Sequence, residues 1–144
     1  MKTTGDEPQA NNERTVLFVC VHNAGRSQLA AGLAAARAGK AVRVLSAGTD
    51  PDECVDATVL ASLAELGIDR SDQVPQRVTP ELLAQADVVV ALKPDLGLAH
   101  PNMQTWPLPD PAGWDLEGIR PLRDHIDARV QVLLADLDER HPAS

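Results

Sequence analysis

A short apolar run that ends in a cysteine-containing loop constrains the fold of this 144-residue chain more than any other feature. Residues 16–27 read V-L-F-V-C-V-H-N-A-G-R-S. Four consecutive apolar residues are typical of a parallel strand that is covered by helices on both faces. Ser27 is predicted to cap the helix that follows, because it precedes strong helix formers. Cys20 should therefore lie at the carboxyl end of a buried strand, close to the start of a helix.

The spacing of this loop predicts a site for a tetrahedral anion. Five residues separate Cys20 from Arg26, which is enough to wrap the backbone into a ring whose N–H groups face one centre. Arg26 would add a planar fork of donors, and the positive field would favour the reactive thiolate of Cys20. The alternative is a buried, inert cysteine that packs as a small hydrophobic residue. The predicted oxyanion-binding residues are Val21, His22, Asn23, Ala24, Gly25, Arg26 and Ser27.

Three side chains of the loop have further predicted roles. Asn23 is expected to adopt a positive φ or to tie the loop together through its amide. Ser27 can donate its hydroxyl to the thiolate as well as cap the helix. His22 could act as a base, but it directly follows the nucleophile and is expected to face solvent.

A cysteine that attacks an oxyanion also needs an acid for the departing oxygen. Asp110 is the best candidate, because it lies in L-P-D-P-A-G after the last predicted strand and flanking prolines would fix its position. The alternative is that Asp110 only initiates a turn.

Alternating elements predict an α/β domain over residues 14–144, after a flexible tail at 1–13. Strands are expected at 15–21, 42–47, 87–92 and 105–108, and helices at 27–38, 56–66 and 79–86 and from about 119 onward. Such alternation implies a parallel sheet with helices on both faces. Ligands then bind beyond the carboxyl ends of the strands, where Cys20 is placed. The last helix is predicted from an apolar stripe at three- or four-residue steps, formed by Leu122, Ile126, Val130, Leu133 and Leu137.

Composition narrows the classes of function. A net charge of −8 argues against general nucleic-acid binding, which needs clustered basic residues. Two cysteines are too few for a secreted disulfide framework, and no apolar run is long enough to span a bilayer. We therefore expect a cytoplasmic protein. Neither a zinc-ligand spacing nor a glycine-rich nucleotide fingerprint is present, so no metal or tightly bound cofactor is expected.

Several motifs together resemble the low-molecular-weight protein tyrosine phosphatase family, and within it the arsenate reductase branch. They are V-L-F-V-C-V-H-N-A-G-R-S-Q, S-A-G-T at 46–49, L-P-D-P-A-G at 108–113 and R-P-L-R-D at 120–124. The resemblance implies a three-layer sandwich around a four-stranded parallel sheet of order 2-1-3-4. Phosphatase members place aromatic residues after the Asp-Pro pair, where this chain has Ala112 and Gly113.

The resemblance also implies a reaction. Cys20 would attack arsenate, Arg26 would stabilise the charge and Asp110 would protonate the departing hydroxide, which leaves a cysteine–arsenate adduct. Thioredoxin-coupled members carry two further cysteines after the third strand, and residues 91–97 have none. An external low-molecular-weight thiol such as mycothiol, with a glutaredoxin-like or thioredoxin-like reductant, is therefore favoured.

Other interpretations of the same residues stay open. Cys54 either resolves the adduct, forms a protective disulfide with Cys20, or is an idle exposed thiol. A phosphomonoesterase and a non-catalytic oxyanion-binding or interaction protein are the alternative functions. The sequence also leaves open whether residues 93–104 form a lid.

Overall fold

The structure, a computed structural model, describes residues 13–140. Apart from Glu13, the predicted tail at 1–13 lies outside these residues. The described elements follow the order β-α-β-α-α-β-β-α, so the expected alternation holds except for one pair of consecutive helices and one pair of consecutive strands. The strands are β1 (Arg14–Cys20), β2 (Val42–Gly48), β3 (Val88–Ala91) and β4 (Met103–Thr105), and the helices are α1 (Arg26–Arg37), α2 (Ala57–Ala64), α3 (Pro80–Gln85) and α4 (Leu116–Arg140).

The four strands form one sheet in the order β2-β1-β3-β4, and every neighbouring pair is parallel. This confirms the predicted fold class and strand order. β1 is central and its residues 15–20 are buried, because both faces are covered. Cys20 at its end pairs in register with Gly48 at the end of β2.

Two apolar layers cover the sheet. On one face, Phe18 and Val90 pack with helices α1, α2 and α4 in the larger core. On the other face, Leu17 and Val89 pack with α3 and the loop that follows β3. All five residues of the predicted apolar stripe on α4 are buried, which confirms that this helix packs on the sheet.

The start of α3 agrees with the sequence-based prediction, and the end of α2 does not. Thr79 caps α3 as predicted, since its hydroxyl oxygen accepts a hydrogen bond from Leu82 N at 3.1 Å. α2 ends at Ala64 rather than at residue 66, and Gly67 beyond it has a φ of 79°, the left-handed conformation that glycine adopts most easily.

Three further boundaries are wrong. Ser27 does not cap α1, because the helix begins at Arg26 and Gly25 occupies the cap position without a side-chain bond. The fourth strand is Met103–Thr105 rather than 105–108, although Trp106 N still donates to Ala91 O of β3. The last helix begins at Leu116 rather than near 119, because Asp115 accepts a hydrogen bond from Gly118 N and caps an earlier turn.

Candidate active site

Cys20 lies at the base of the loop that joins β1 to α1. The residue is 2% exposed and borders the larger core, and its thiol donates a hydrogen bond to Ser27 Oγ at 3.0 Å. When the thiol is ionised, the same hydroxyl can donate to the thiolate. The sulfur therefore has a polar hydrogen-bond partner. A cysteine that only packs as a small hydrophobic residue would not need one.

The carbonyl groups of the loop point outward, toward the segment that follows β2. Four of them accept a backbone hydrogen bond from that segment, in the pairs Thr49 N to Cys20 O (3.1 Å), Asp50 N to Val21 O (2.8 Å), Asp52 N to His22 O (2.9 Å) and Asp56 N to Ala24 O (3.1 Å). Within residues 13–140, the backbone N–H groups of 22–27 donate no hydrogen bond to another protein group. Unpaired donors that share one concave loop are the arrangement that binds a tetrahedral anion.

Asn23 organises the interior of the loop. It has a φ of 53°, as predicted, and its side chain is fully buried. Its amide Nδ2 donates to Ser27 Oγ at 2.6 Å, and its Oδ1 accepts from Gln76 N at 2.9 Å. Asn23 therefore holds the hydroxyl that contacts the cysteine. Sequence reasoning missed Gln76, which lies far along the chain and carries no local signal for this contact.

Gly48 allows β2 to approach the loop closely. A Cβ atom at this position would overlap the carbonyl oxygen of Val21 and would lie 3.0 Å from Asn23 N. This is the glycine of the S-A-G-T motif, and its missing side chain is what lets the loop curl over the strand end.

Arg26 and the segment around Asp110 are joined to each other. Arg26 is 6% exposed, and its Nη1 donates to the carbonyl oxygen of Leu108 at 3.0 Å. One donor of the predicted fork is thus used to anchor the segment that carries Asp110. Pro111 packs directly against Gly25, since a Cβ atom there would lie 3.2 Å from the proline ring.

Asp110 itself is exposed, and its Oδ1 accepts a hydrogen bond from Ala112 N at 3.1 Å. This is the turn that the alternative interpretation of Asp110 predicted. The turn does not occupy the carboxylate fully, because the second oxygen has no partner within the described chain. Asp110 is therefore held beside the loop, with one carboxylate oxygen that no described residue occupies.

A cleft of about 310 Å³ brings together residues from three segments of the chain. Two larger clefts, of about 490 and 520 Å³, are lined by other residues. Cys20 and Arg26 do not line the 310 Å³ cleft. Its lining is His22, Ala24, Gly25, Asp52, Cys54, Val55, Asp56, Ala57, Asp110 and Ala112.

His22 and Cys54 both line this cleft, and both side chains are exposed to solvent. The His22 side chain is 43% exposed, as expected, and its Nδ1 lies 3.4 Å from a carboxylate oxygen of Asp52. Cys54 is an exposed free thiol on the segment whose N–H groups hold the loop carbonyls. Its location beside Asp110 leaves each of its predicted roles open.

Two classes of site can be judged from the described residues. No group of three or more His, Cys, Asp or Glu side chains in 13–140 could hold a metal ion. No helix among them is long and apolar enough to cross a membrane.

Similarity to known proteins agrees with this architecture. The chain is 33% identical over 133 residues to a putative arsenate reductase of Halobacterium salinarum. The aligned region covers 87% of this chain and 92% of that protein. A solved structure of an arsenate reductase in the phosphate-binding state superposes with a TM-score of 0.77 and 32% identity, over 86% of this chain and 98% of the other. A thioredoxin-dependent arsenate reductase of Corynebacterium glutamicum gives a TM-score of 0.76 and 31% identity, over 89% of this chain and 63% of the other. Residues 15–143 match the family described as low molecular weight phosphotyrosine protein phosphatase, and the chain belongs to that family.

Proposed function

We propose that this protein is an arsenate reductase that works through a cysteine–arsenate adduct. The observation that carries the proposal is the loop of unpaired N–H groups around Cys20, with Asp110 packed beside it through Pro111. The similarity to proteins described as arsenate reductases supports the choice of arsenate as the oxyanion.

The first chemical step forms the adduct. The thiolate of Cys20, oriented by the Ser27 hydroxyl, attacks arsenic while the loop N–H groups and Arg26 stabilise the charge on the arsenate oxygens. The bond from arsenic to one oxygen breaks, and Asp110 in its acid form donates a proton so that water departs. The product is a covalent bond between Cys20 Sγ and As(V).

The second step reduces arsenic. A second thiolate attacks Cys20 Sγ, the S–As bond breaks, and its electron pair stays on arsenic, which leaves as arsenite. The two sulfurs are joined in a disulfide, so two thiols are oxidised for one arsenate reduced. A further thiol must then return Cys20 to its reduced form.

We propose that the second thiol is an external low-molecular-weight thiol such as mycothiol, and that a glutaredoxin-like partner then reduces the mixed disulfide. The chain has only two cysteines, so a relay of three cysteines within it is impossible. Cys54 is the one internal alternative, because it faces the cleft beside Asp110. That route would yield a Cys20–Cys54 disulfide and would need a thioredoxin-like reductant, the class named for the C. glutamicum protein.

Phosphomonoester hydrolysis is the second candidate function, and membership of the phosphatase family favours it. The same loop, cysteine and acid would serve that reaction. The cleft argues against an aryl phosphate as substrate, because Ala112 lines it and Phe18, Trp106 and Trp114 do not. These three are all the Phe, Tyr and Trp residues of the chain, which has no tyrosine.

One experiment tests these proposals together. Arsenite production is measured with mycothiol and a glutaredoxin-like protein, with glutathione and glutaredoxin, and with a thioredoxin system, beside hydrolysis of an aryl phosphate. We expect arsenite with mycothiol, full activity in Cys54→Ser and none in Cys20→Ser. Loss of activity in Cys54→Ser would assign the resolving thiol to Cys54. Ester hydrolysis without arsenite from any donor would overturn the reductase in favour of the phosphatase.

A further inference from the structure

A buried glutamine on α1 connects the cysteine loop to an arginine that follows α2. Gln28 is 1% exposed, and its Nε2 donates to the carbonyl oxygen of Asn23 at 3.1 Å. Its Oε1 accepts a hydrogen bond from Arg70 Nη2 at 3.0 Å. The carbonyls of 20, 21, 22 and 24 are held by backbone N–H groups, so the bond to Asn23 is the one in this set that depends on a side chain.

The orientation of the Gln28 amide is set by Arg70. An amide can present either its oxygen or its nitrogen to a neighbour, and only the nitrogen can donate to a carbonyl. A guanidinium that donates to Oε1 forces Nε2 to face Asn23. Because Arg70 is charged, this bond is also stronger than one between neutral groups.

The sequence of α1 makes room for this contact. Gly32 lies four residues after Gln28 and therefore on the same face of the helix. A Cβ atom at Gly32 would lie 3.3 Å from Arg70 Cγ and 2.9 Å from Leu63 Cδ1. The missing side chain lets the aliphatic part of Arg70 lie across the helix and reach the buried amide.

We propose that Gln28 and Arg70 are positioning residues for the oxyanion loop. The carbonyl of Asn23 and the N–H of Ala24 belong to one planar peptide and point in opposite directions. Holding the carbonyl outward thus aims the N–H of Ala24 into the loop. It also keeps Asn23 at its φ of 53°, a region that residues other than glycine seldom occupy. The inference rests on the proposed function in so far as that function requires an oxyanion in this loop.

The test measures phosphate binding by calorimetry and the pH at which the ultraviolet absorbance of the Cys20 thiolate appears, in a Cys54→Ser background. Arg70→Met keeps the aliphatic stem over Gly32 and removes the donor. We expect phosphate affinity to fall by about five- to tenfold, the effect of losing one hydrogen bond. We also expect the thiolate to appear at higher pH. Arg70→Lys should restore most of both properties, since an ammonium group can donate to the same oxygen.

Gln28→Glu removes the donor to Asn23 O and keeps an acceptor for Arg70. The carboxylate still accepts from Arg70 but cannot donate to Asn23 O. The melting temperature should fall as well, because a buried carbonyl loses its donor, so binding is compared at a temperature at which both proteins are folded. Phosphate affinity should therefore fall at least as far as in Arg70→Met. The matched control is Arg43→Met, which removes an exposed Arg–Gln bond (Nη1 to Gln85 Oε1, 3.0 Å) at the opposite end of the sheet and should leave phosphate binding unchanged.

Unchanged phosphate affinity and thiolate absorbance in both Gln28→Glu and Arg70→Met would overturn the proposal, as would an equal loss in Arg43→Met. These readouts do not require arsenate turnover. If the parent binds phosphate but reduces no arsenate, the proposed function fails while the positioning roles of Gln28 and Arg70 can still be judged.

Discussion

Substituting Gly48 by alanine tests whether the close packing of β2 against the cysteine loop sets the geometry of the site. The added methyl would overlap Val21 O and lie 3.1 Å from Asn23 Cβ. Gly48 cannot retreat easily, because its N–H donates to Gln76 O at 2.8 Å and its carbonyl accepts from Val78 N at 2.9 Å. The loop must therefore move by roughly 1 Å, a displacement that can lower catalytic rates by about 10²-fold.

The expected cost in stability follows from the same overlap. Overpacking of this kind destabilises by about 2 kcal/mol, which lowers the melting temperature by about 7 °C for a chain of this size. Thermal unfolding and phosphate titration calorimetry would measure both effects. Gly39→Ala is the matched control, because nothing lies within 4 Å of a Cβ atom there. If Gly48→Ala bound phosphate and melted like Gly39→Ala, the argument that this glycine shapes the loop would be refuted.

Three further predictions address the acid, an ion pair and a helix cap. Asp110→Asn should slow adduct formation, measured by rapid quench, by about 10²-fold, because the acid acts on the departing oxygen. Phosphate affinity, measured by calorimetry, should stay within about threefold. An equal loss of both would show that Asp110 is merely structural. Hydrogen bonds from Arg120 and Arg123 lower the pKa of Glu65 from 4.5 to about 2. The stabilisation by Glu65 is thus complete above pH 4.5 and lost as the pH falls toward 2, so urea midpoints of Glu65→Gln should lack that part of the acid decline, and a decline identical to the parent's would contradict this. Thr79→Ala should lower stability by about 1 kcal/mol in urea denaturation through loss of the α3 cap, and an unchanged midpoint would show that this cap contributes nothing.

Much of the fold could be predicted because local patterns and global packing agree. The apolar residues of β1 and of the stripe on α4 are buried, as the pattern of each segment predicts. The wrong boundaries have local physical causes. The predicted cap at Ser27 failed because its hydroxyl bonds Cys20 and Asn23 instead of the helix N-terminus.

The candidate site was less accessible to sequence reasoning. Cys20, Arg26 and Asp110 could be proposed from residue type and spacing alone. The contacts that shape the loop could not, because they come from segments distant in sequence. Gln76 is 53 residues from Asn23, and Arg70 is 42 residues from Gln28. Neither pair shows a periodicity or spacing that would announce the contact.

The hydrogen bonds that hold the loop carbonyls also restrict how far Cys54 can move. N–H groups that face inward leave the carbonyls of the same peptides facing outward, and each buried carbonyl needs a donor. The segment after β2 supplies four such donors and also carries Cys54. Any disulfide that pulled Cys54 toward Cys20 would therefore strain the bonds that keep the loop carbonyls outward. Oxidation at Cys54 and anion binding in the loop should oppose each other, because both depend on the position of the same segment.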